Sequence, residues 1–179
     1  TDINSSGYTA YSSGGVANKI YQITTEYTTA QLFDLKFAQS ADVMYICHNS
    51  HEVMKLSRTG HTSWTLTEVN FTNGPYLDSN TTSVTMTPSA TSGSSITITA
   101  SAPTFVSGDV NRLIKFSNGY AKITAFGSDT SVTASVEDDF DNTTAVTNWS
   151  LGAFSTVTGH PRCVSFFEQR LVFSGTALQ

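Results

Sequence analysis

Charged residues are scarce in this sequence. Only 13% of its 179 residues are Asp, Glu, Lys or Arg, against about 25% in an average soluble domain. The net charge is −5, which argues against the basic face that a general nucleic-acid binder needs. Ser, Thr, Asn and Gly must therefore cover much of the surface. Hydroxyl side chains of this kind suit strand surfaces and are common in β-rich extracellular and virion proteins.

Long apolar runs and cysteines are also few. No segment approaches the roughly 18 consecutive apolar residues of a membrane-spanning helix, so we expect no such helix. Cys47 and Cys163 are the two cysteines, and both stand in apolar, strand-like contexts. This context predicts two buried, reduced thiols, with a disulfide between them as the alternative. One pair is not the dense framework of a small secreted scaffold.

Apolar and polar side chains alternate along most of the chain. The residues of 28–35 favour one short helical turn, and Asn118-Gly119 is a strong hairpin signal. Strands recurring about every ten residues with hardly a helix indicate an all-β protein. The alternation and the apolar runs predict strands over 18–27, 41–48, 52–58, 63–69, 83–87, 95–100, 112–116, 120–126, 130–136 and 148–152, and a strand pair within 162–173.

Two parts of the chain differ in composition. The three predicted strands of 41–69 form an antiparallel meander, the unit of a propeller blade or of a sandwich. Residues 70–95 then become rich in turn-forming and small polar residues, and a strongly apolar stretch returns at 162–173. The shift predicts two β-units instead of one continuous sandwich.

Several segments carry a resemblance to a known family. They read FAQSADVMY at 37–45, LSRTGHTSWTL at 56–66, NGPYLD at 73–78, WSLGAF at 149–154 and HPRCVSFFEQRLVF at 160–173. Together they resemble a family of tailed-phage virion proteins described as tail, stabilisation or nozzle-like proteins. The resemblance spans residues 18–176, and its motifs are structural instead of catalytic.

The resemblance implies a long virion protein of β-propeller-like blades with a small β-barrel inserted in a loop. Residues 1–79 plus 150–179 would form the antiparallel scaffold, and residues 80–149 the inserted barrel. Family members often carry there a domain likened to the first catalytic-cysteine half-domain (FCCH) of ubiquitin-activating enzymes. Segment 80–149 contains no cysteine, so no ubiquitin chemistry is expected. The family pattern has a glycine where Asn111 precedes Arg112.

The C-terminal strand pair carries a large apolar load. Burying one such side chain contributes roughly 1.5–3 kcal/mol, so we expect these residues to be covered. The other apolar strands, 41–48 and 63–69, are the natural cover, and we predict that Cys163–Phe167 pairs or packs with them. An uncompleted outer edge predicts that the chain is a segment of a longer protein. Phe166, Leu171 and Phe173 are the predicted interaction residues.

Metal sites receive little support from the sequence. His48 and His51 have a spacing that can serve zinc, but no nearby residues complete a ligand set, and His61 and His160 stand apart. We therefore expect surface histidines in turns. In the acidic run 137–142, Asp139 and Asp141 are weak candidates for a hard cation. The run does not match an EF-hand, and we predict a solvated loop with no metal or other cofactor.

Catalytic motifs give no support for an enzyme. There is no Gly-x-Ser-x-Gly elbow, and the glycines near the start of the chain do not open a helix as a phosphate loop does. Glycoside cleavage needs two carboxylates about 5–10 Å apart. The candidate carboxylates are those of Glu26, Glu52, Glu68 and Glu168. The sequence does not place any two of them at that distance.

The resemblance to tailed-phage proteins implies a non-enzymatic structural protein of a phage tail or head–tail connector, located in the virion. Its expected partners are copies of itself and other virion tail proteins, with neither nucleic acid nor membrane among them. The alternative is a carbohydrate-binding β-module for host attachment. Exposed tyrosines that can stack on a glycan would serve that role, and the candidates are Tyr8, Tyr11, Tyr76 and Tyr120.

Overall fold

The computed structural model describes residues 21–175. The fold is all-β, with antiparallel sheets, one of which is curled into a half-barrel. Two compact units are present: residues 21–69 with 161–175, here the meander unit, and residues 70–160, here the half-barrel unit. The strands are β1 (Lys36–Ser40), β2 (Val43–His48), β3 (His51–Gly60), β4 (Ser63–Glu68), β5 (Met86–Pro88), β6 (Ile96–Ala100), β7 (Leu113–Phe116), β8 (Gly119–Ser128), β9 (Ser131–Asp138), β10 (Trp149–Leu151), β11 (Cys163–Phe167) and β12 (Arg170–Ser174).

The meander unit is built on a four-stranded antiparallel sheet in the order β1-β2-β3-β4. The three predicted strands of 41–69 are present as β2, β3 and β4. Strand β1 was not predicted, because its sequence KFAQS is short and largely polar and its burial pattern shows no alternation. Strand β1 is held in the sheet by its antiparallel pairing with β2, in which Gln39 faces Met44. Met44 in turn faces Leu56, and Leu56 faces Leu66, so that one row of side chains crosses the sheet.

The predicted strand over 18–27 is wrong for its described part. Residues 21–27 form no strand, and 18–20 lie outside the described residues. An alternating pattern forms a strand only where another segment pairs with it through backbone hydrogen bonds. This segment instead packs through its side chains, and the Tyr27 ring stands edge-on to the His51 ring with the ring centroids 5.2 Å apart. The predicted helical turn within 28–35 is confirmed as a 3₁₀ helix, Thr29–Gln31. The Thr28 N–H donates to Gln31 Oε1 at 2.9 Å and holds the start of that turn.

The hairpin β11–β12 turns through Glu168 and Gln169, which have positive φ angles of 45° and 64°. Two-residue loops with both residues in this region match the twist of paired strands. The Tyr45 ring on β2 stands 6.3 Å from each of the Phe166 and Phe173 rings. The prediction that Cys163–Phe167 packs with the meander is therefore confirmed.

The half-barrel unit contains a six-stranded sheet in the order β10-β7-β8-β9-β6-β5. Strand β6 shows how alternation builds it: Ile96, Ile98 and Ala100 are buried, whereas Thr97 and Thr99 are exposed. Apolar side chains from both the strands and the loops fill the concave side, and burying each contributes roughly 1.5–3 kcal/mol. The larger members of this core are Met86, Ile96, Ile98, Phe105, Ile114, Phe116, Ile123, Val132 and Phe140.

The β7–β8 hairpin turns one residue earlier than its Asn-Gly signal indicates. Ser117 and Asn118 are the loop residues, with φ angles of 48° and 62°, and Gly119 already pairs with Phe116. A side chain at Gly119 would place a Cβ 2.5 Å from the Asp138 carbonyl oxygen and 2.6 Å from that of Asp139. Glycine is therefore required here for close backbone approach.

The half-barrel unit extends beyond the predicted limits of 80 and 149. Strand β10 pairs with β7, and Trp149 faces Phe116. Before β5, the chain runs antiparallel to the chain around β10: the Leu77 N–H donates to the Leu151 carbonyl at 2.8 Å. Tyr76 and Gly152 form a bridge, and the Ala153 N–H donates to the Pro75 carbonyl at 2.9 Å. The segments that enter and leave this unit are thus paired with each other.

The described helices are two three-residue 3₁₀ turns. Within residues 21–175, no helix has the length and apolar character needed to cross a membrane.

Candidate functional sites

Large apolar side chains lie exposed on the β11–β12 hairpin. Phe167 is 65% exposed, Val172 43% and Phe166 41%. The contact with Tyr45 therefore covers only part of this apolar stretch, and the outer side of the hairpin is open, as expected for an edge that awaits a partner. A two-stranded hairpin has two faces, and the contact of Phe166 and Phe173 with Tyr45 takes up one of them. Alternation places Phe167 and Val172 on the other face. We call Phe167 and Val172 the hairpin surface.

The predicted interaction residues occupy different environments on this hairpin. Phe166 is partly exposed and also contacts Tyr45, whereas Leu171 and Phe173 are half-buried. Phe167 was not among the predicted residues, although it is the most exposed of the large apolar side chains on the hairpin. The turn signal at Glu168-Gln169 was not recognised from the sequence, and that turn determines which residues pair and which face each occupies.

The two cysteines differ in exposure. Both are free thiols, Cys47 is buried and Cys163 is exposed. The prediction of a buried Cys163 is wrong, because this residue begins a hairpin strand whose side chains are mostly open to solvent. Burial raises the pKa of Cys47 to about 12, with a smaller contribution from the Cys163 thiol.

His48 and His51 lie side by side, with ring centroids 5.2 Å apart. His51 Nε2 is 3.1 Å from Gln31 Oε1, and its Nδ1 is 3.5 Å from Glu26 Oε1. His48 Nδ1 accepts the Ser50 N–H at 3.1 Å. Burial lowers the pKa of His48, and His51 lowers it further. These ring nitrogens thus have protein partners in a mainly structural cluster.

The expectation of surface histidines is wrong at two positions. His48 is only 4% exposed and His160 only 5%. The acidic loop, in contrast, is open: Asp139 and Asp141 are exposed, and Asp141 accepts a hydrogen bond from the Asn118 amide. Among residues 21–175, no group of three or more His, Cys, Asp or Glu side chains is arranged to hold a metal ion.

A cleft of about 500 Å³ lies on the half-barrel unit, within the size range of small-molecule sites. It forms where the β7–β8 turn, strand β10 and the incoming segment around residue 77 meet. Its lining combines aromatic, hydroxyl and amide side chains with a single charged residue. The lining residues are Tyr76, Leu77, Ser79, Lys115, Phe116, Ser117, Asn118, Val146, Asn148, Trp149 and Ser150.

The aromatic side chains of the cleft are held in place. Trp149 Nε1 donates to the Val84 carbonyl at 2.9 Å, and Lys115 Nζ lies over the Tyr76 ring, 5.4 Å from its centroid. The Tyr76 hydroxyl is buried and has no hydrogen-bond partner among the described residues. The pKa of Tyr76 is raised to about 12, mainly by burial and further by Tyr120 and Asp138. The cleft therefore offers fixed aromatic surface beside a ring of polar groups.

Sequence reasoning had named Tyr76 as an aromatic that can stack on a glycan, but not the rest of the cleft. Lys115, Asn148 and Trp149 come from segments that only the sheet order β10-β7 brings together. The one sequence feature that could have indicated the cleft is the tryptophan at position 149, which stands in a segment predicted as a strand.

No family model matches the chain, and no curated protein matches it either. The likeness to tailed-phage virion proteins therefore remains a prediction from the sequence segments.

Proposed function

We propose that this chain is a non-enzymatic structural segment of a phage tail or head–tail connector, located in the virion. It acts through assembly contacts with copies of itself and with neighbouring tail proteins. The observation that carries the proposal is the hairpin surface, whose most open member, Phe167, is 65% exposed. Exposed apolar patches bordered by polar residues mark protein interaction sites.

The meander unit supports the propeller-like part of the proposal. Four antiparallel strands joined in sequence order, β1-β2-β3-β4, match the strand arrangement of one propeller blade. In a propeller, each blade packs against the next. Apolar surface that the strands of one blade leave exposed is therefore buried in the contact with its neighbour. We assign the hairpin surface to such a contact, with an adjoining blade or another copy of the chain as its partner.

The first test locates the protein. Purified virions of the phage that encodes this chain are separated into head and tail fractions and probed with an antibody raised against the chain. The proposal expects a tail or connector signal that survives high-salt washing and corresponds to several copies per particle. A chain detected only in infected cells, and never in washed particles, contradicts the proposal.

The second test addresses the surface. Sedimentation velocity of the purified chain over a range of concentrations should show reversible self-association that Phe167→Ser weakens at least about tenfold, or about 1.4 kcal/mol. Phe126→Ser is the matched control, because Phe126 is a 38%-exposed aromatic on the half-barrel unit. Equal weakening by both variants, or by neither, rules out the hairpin surface as the contact between copies.

A further inference from the structure

We propose that the cleft of the half-barrel unit binds a neutral oligosaccharide. This inference goes beyond the assembly role and does not depend on it. Saccharides combine apolar CH faces with a high density of hydroxyl groups. Their recognition therefore calls for aromatic surface bordered by side chains that both donate and accept hydrogen bonds.

The aromatic surface comes from Tyr76 and Trp149, both half-buried side chains in the cleft lining. The hydrogen bond from Trp149 Nε1 to Val84 consumes the indole donor, so the indole contributes apolar contact in a fixed orientation. The Tyr76 hydroxyl is buried and Lys115 Nζ lies over one face of the ring, so a ligand meets only the part of the ring that the ammonium group leaves open. Rigid aromatic groups lose little conformational entropy when they bind.

The polar border comes from two amides and several hydroxyls. Asn118 and Asn148 are exposed, and an amide carries both donors and an acceptor. One N–H of Asn118 is already bonded to Asp141, so its remaining N–H and its oxygen are the groups it presents. Ser79 and Ser150 lie with their hydroxyl oxygens 3.2 Å apart, a pair that can exchange donor and acceptor roles. These groups match sugar hydroxyls, which also act as both donors and acceptors.

The cleft carries a single charge. Lys115 is its one charged lining residue, and its ammonium group already lies over the Tyr76 ring. The chain as a whole carries a net charge of −5, which opposes the approach of polyanions. The cleft also lacks a lining carboxylate, as expected for a site that binds a sugar without cleaving it.

The experiment uses Trp149 as the reporter of binding. The chain contains two tryptophans, so Trp64→Phe in the meander unit leaves Trp149 as the single tryptophan, whose emission is excited selectively over that of the tyrosines. The full chain with this substitution is titrated with chitotriose, maltotriose and lactose up to about 20 mM, and with trigalacturonic acid as the acidic comparison. A saturable fluorescence change with at least one neutral sugar is expected. If none of the three neutral sugars changes the fluorescence, the proposal is overturned. A fluorescence change with trigalacturonic acid alone overturns it as well.

Variants in the cleft then locate the binding. Tyr76→Ala should weaken binding about tenfold or more, equivalent to about 1.4 kcal/mol, whereas Tyr76→Phe should retain it because the hydroxyl is buried. Asn148→Ala, an exposed change, should also weaken binding without altering the fold. Asn70→Ala is the matched control, since Asn70 is an exposed asparagine of the same unit outside the cleft. Binding that Tyr76→Ala and Asn148→Ala leave unchanged overturns the site.

Discussion

Arg112 and Asp109 form an ion pair inside the half-barrel unit, with Arg112 Nη1 2.7 Å from Asp109 Oδ1 and both side chains almost fully buried. Further hydrogen bonds hold both side chains. Arg112 Nε donates to the Gly152 carbonyl at 2.7 Å, and Asp109 Oδ2 accepts the Val106 N–H at 2.9 Å. Buried charges are tolerated when they are paired and hydrogen-bonded in this way. The pair thus ties the loop before β7 to the chain after β10.

Breaking this pair should strongly destabilise the half-barrel unit. Arg112→Met leaves the Asp109 carboxylate buried without its partner, and we expect the free energy of unfolding to fall by about 3–5 kcal/mol. The measurement is denaturant unfolding followed by Trp149 fluorescence. Arg58→Met is the control and is followed by Trp64 fluorescence, because the Arg58–Asp42 pair lies in the meander unit. This pair is much more exposed, and exposed pairs contribute about 0–1 kcal/mol. Equal losses in the two variants would contradict a special role for the buried pair.

Asn111 occupies the position where the phage family pattern has glycine, and its φ is +73°. Asparagine tolerates this left-handed conformation better than most residues. Asn111→Gly should therefore keep or slightly raise the unfolding midpoint, whereas Asn111→Ala should cost about 1 kcal/mol. The same Trp149 unfolding assay measures both. A midpoint that is lower for glycine than for alanine would contradict the assignment of the effect to the positive φ of residue 111.

The two thiols should react at very different rates. Cys163 is exposed, whereas Cys47 is buried with its pKa raised to about 12, so little of the reactive Cys47 thiolate forms near neutral pH. Native protein should release one equivalent of chromophore from a disulfide reagent such as DTNB, and denatured protein two. Cys163→Ser should abolish the native reaction, and Cys47→Ser should leave it intact. Two rapid equivalents from native protein would contradict the burial of Cys47.

The stability of the meander unit should depend on pH through His48. Burial, and then His51, lowers the folded-state pKa of His48 below its ordinary 6.5, while Asp34 opposes this shift and Arg162 adds to it. Below about pH 6.5 the unfolded chain binds the proton more readily than the folded chain, so the free energy of unfolding decreases as the pH falls. Trp64 fluorescence follows the unfolding of this unit at about pH 7.5 and about pH 5.5.

His48→Asn should reduce that decrease, because the amide oxygen can still accept the Ser50 N–H but does not titrate in this range. His61→Asn, which changes an exposed histidine, serves as the control and should keep the full pH dependence. The assignment to His48 fails if both variants behave alike.

The β11–β12 hairpin should be necessary for the meander unit. A chain ending at Pro161 loses the Phe166 and Phe173 contacts with Tyr45, and we expect the unfolding transition reported by Trp64 to disappear while that reported by Trp149 remains. Phe167→Ser is the control: it changes the outer face of the hairpin and should shift stability by no more than about 0.5 kcal/mol. A truncated chain that keeps both transitions would contradict the prediction.

The sequence predicted most strands because alternation and burial coincide where a ladder exists. Strand β6 is the clearest case, with its isoleucines buried and its threonines exposed. The same alternation failed at 21–27, where Tyr27 packs against His51 and no neighbouring strand pairs with the segment. Periodicity describes one chain segment, whereas a strand also requires a partner, which the sequence of that segment does not specify.

The candidate sites were less accessible to prediction. The apolar content of 162–173 was evident, but the face on which Phe167 lies depends on the Glu168–Gln169 turn. The cleft brings Tyr76, Lys115 and Trp149 together from positions far apart in the chain. Such a site follows from strand order, and no local pattern encodes the pairing of β10 with β7.

The bridge between Tyr76 and Gly152 has a consequence for how this architecture can change during evolution. Because the entering and leaving segments are hydrogen-bonded to each other around this bridge, they are separated there by only about 5 Å. A host loop can accept such a unit, lose it or exchange it for another without moving the loop's own anchor points. The half-barrel unit thus begins and ends in two segments that pair with each other, and related chains are expected to vary most between these two segments.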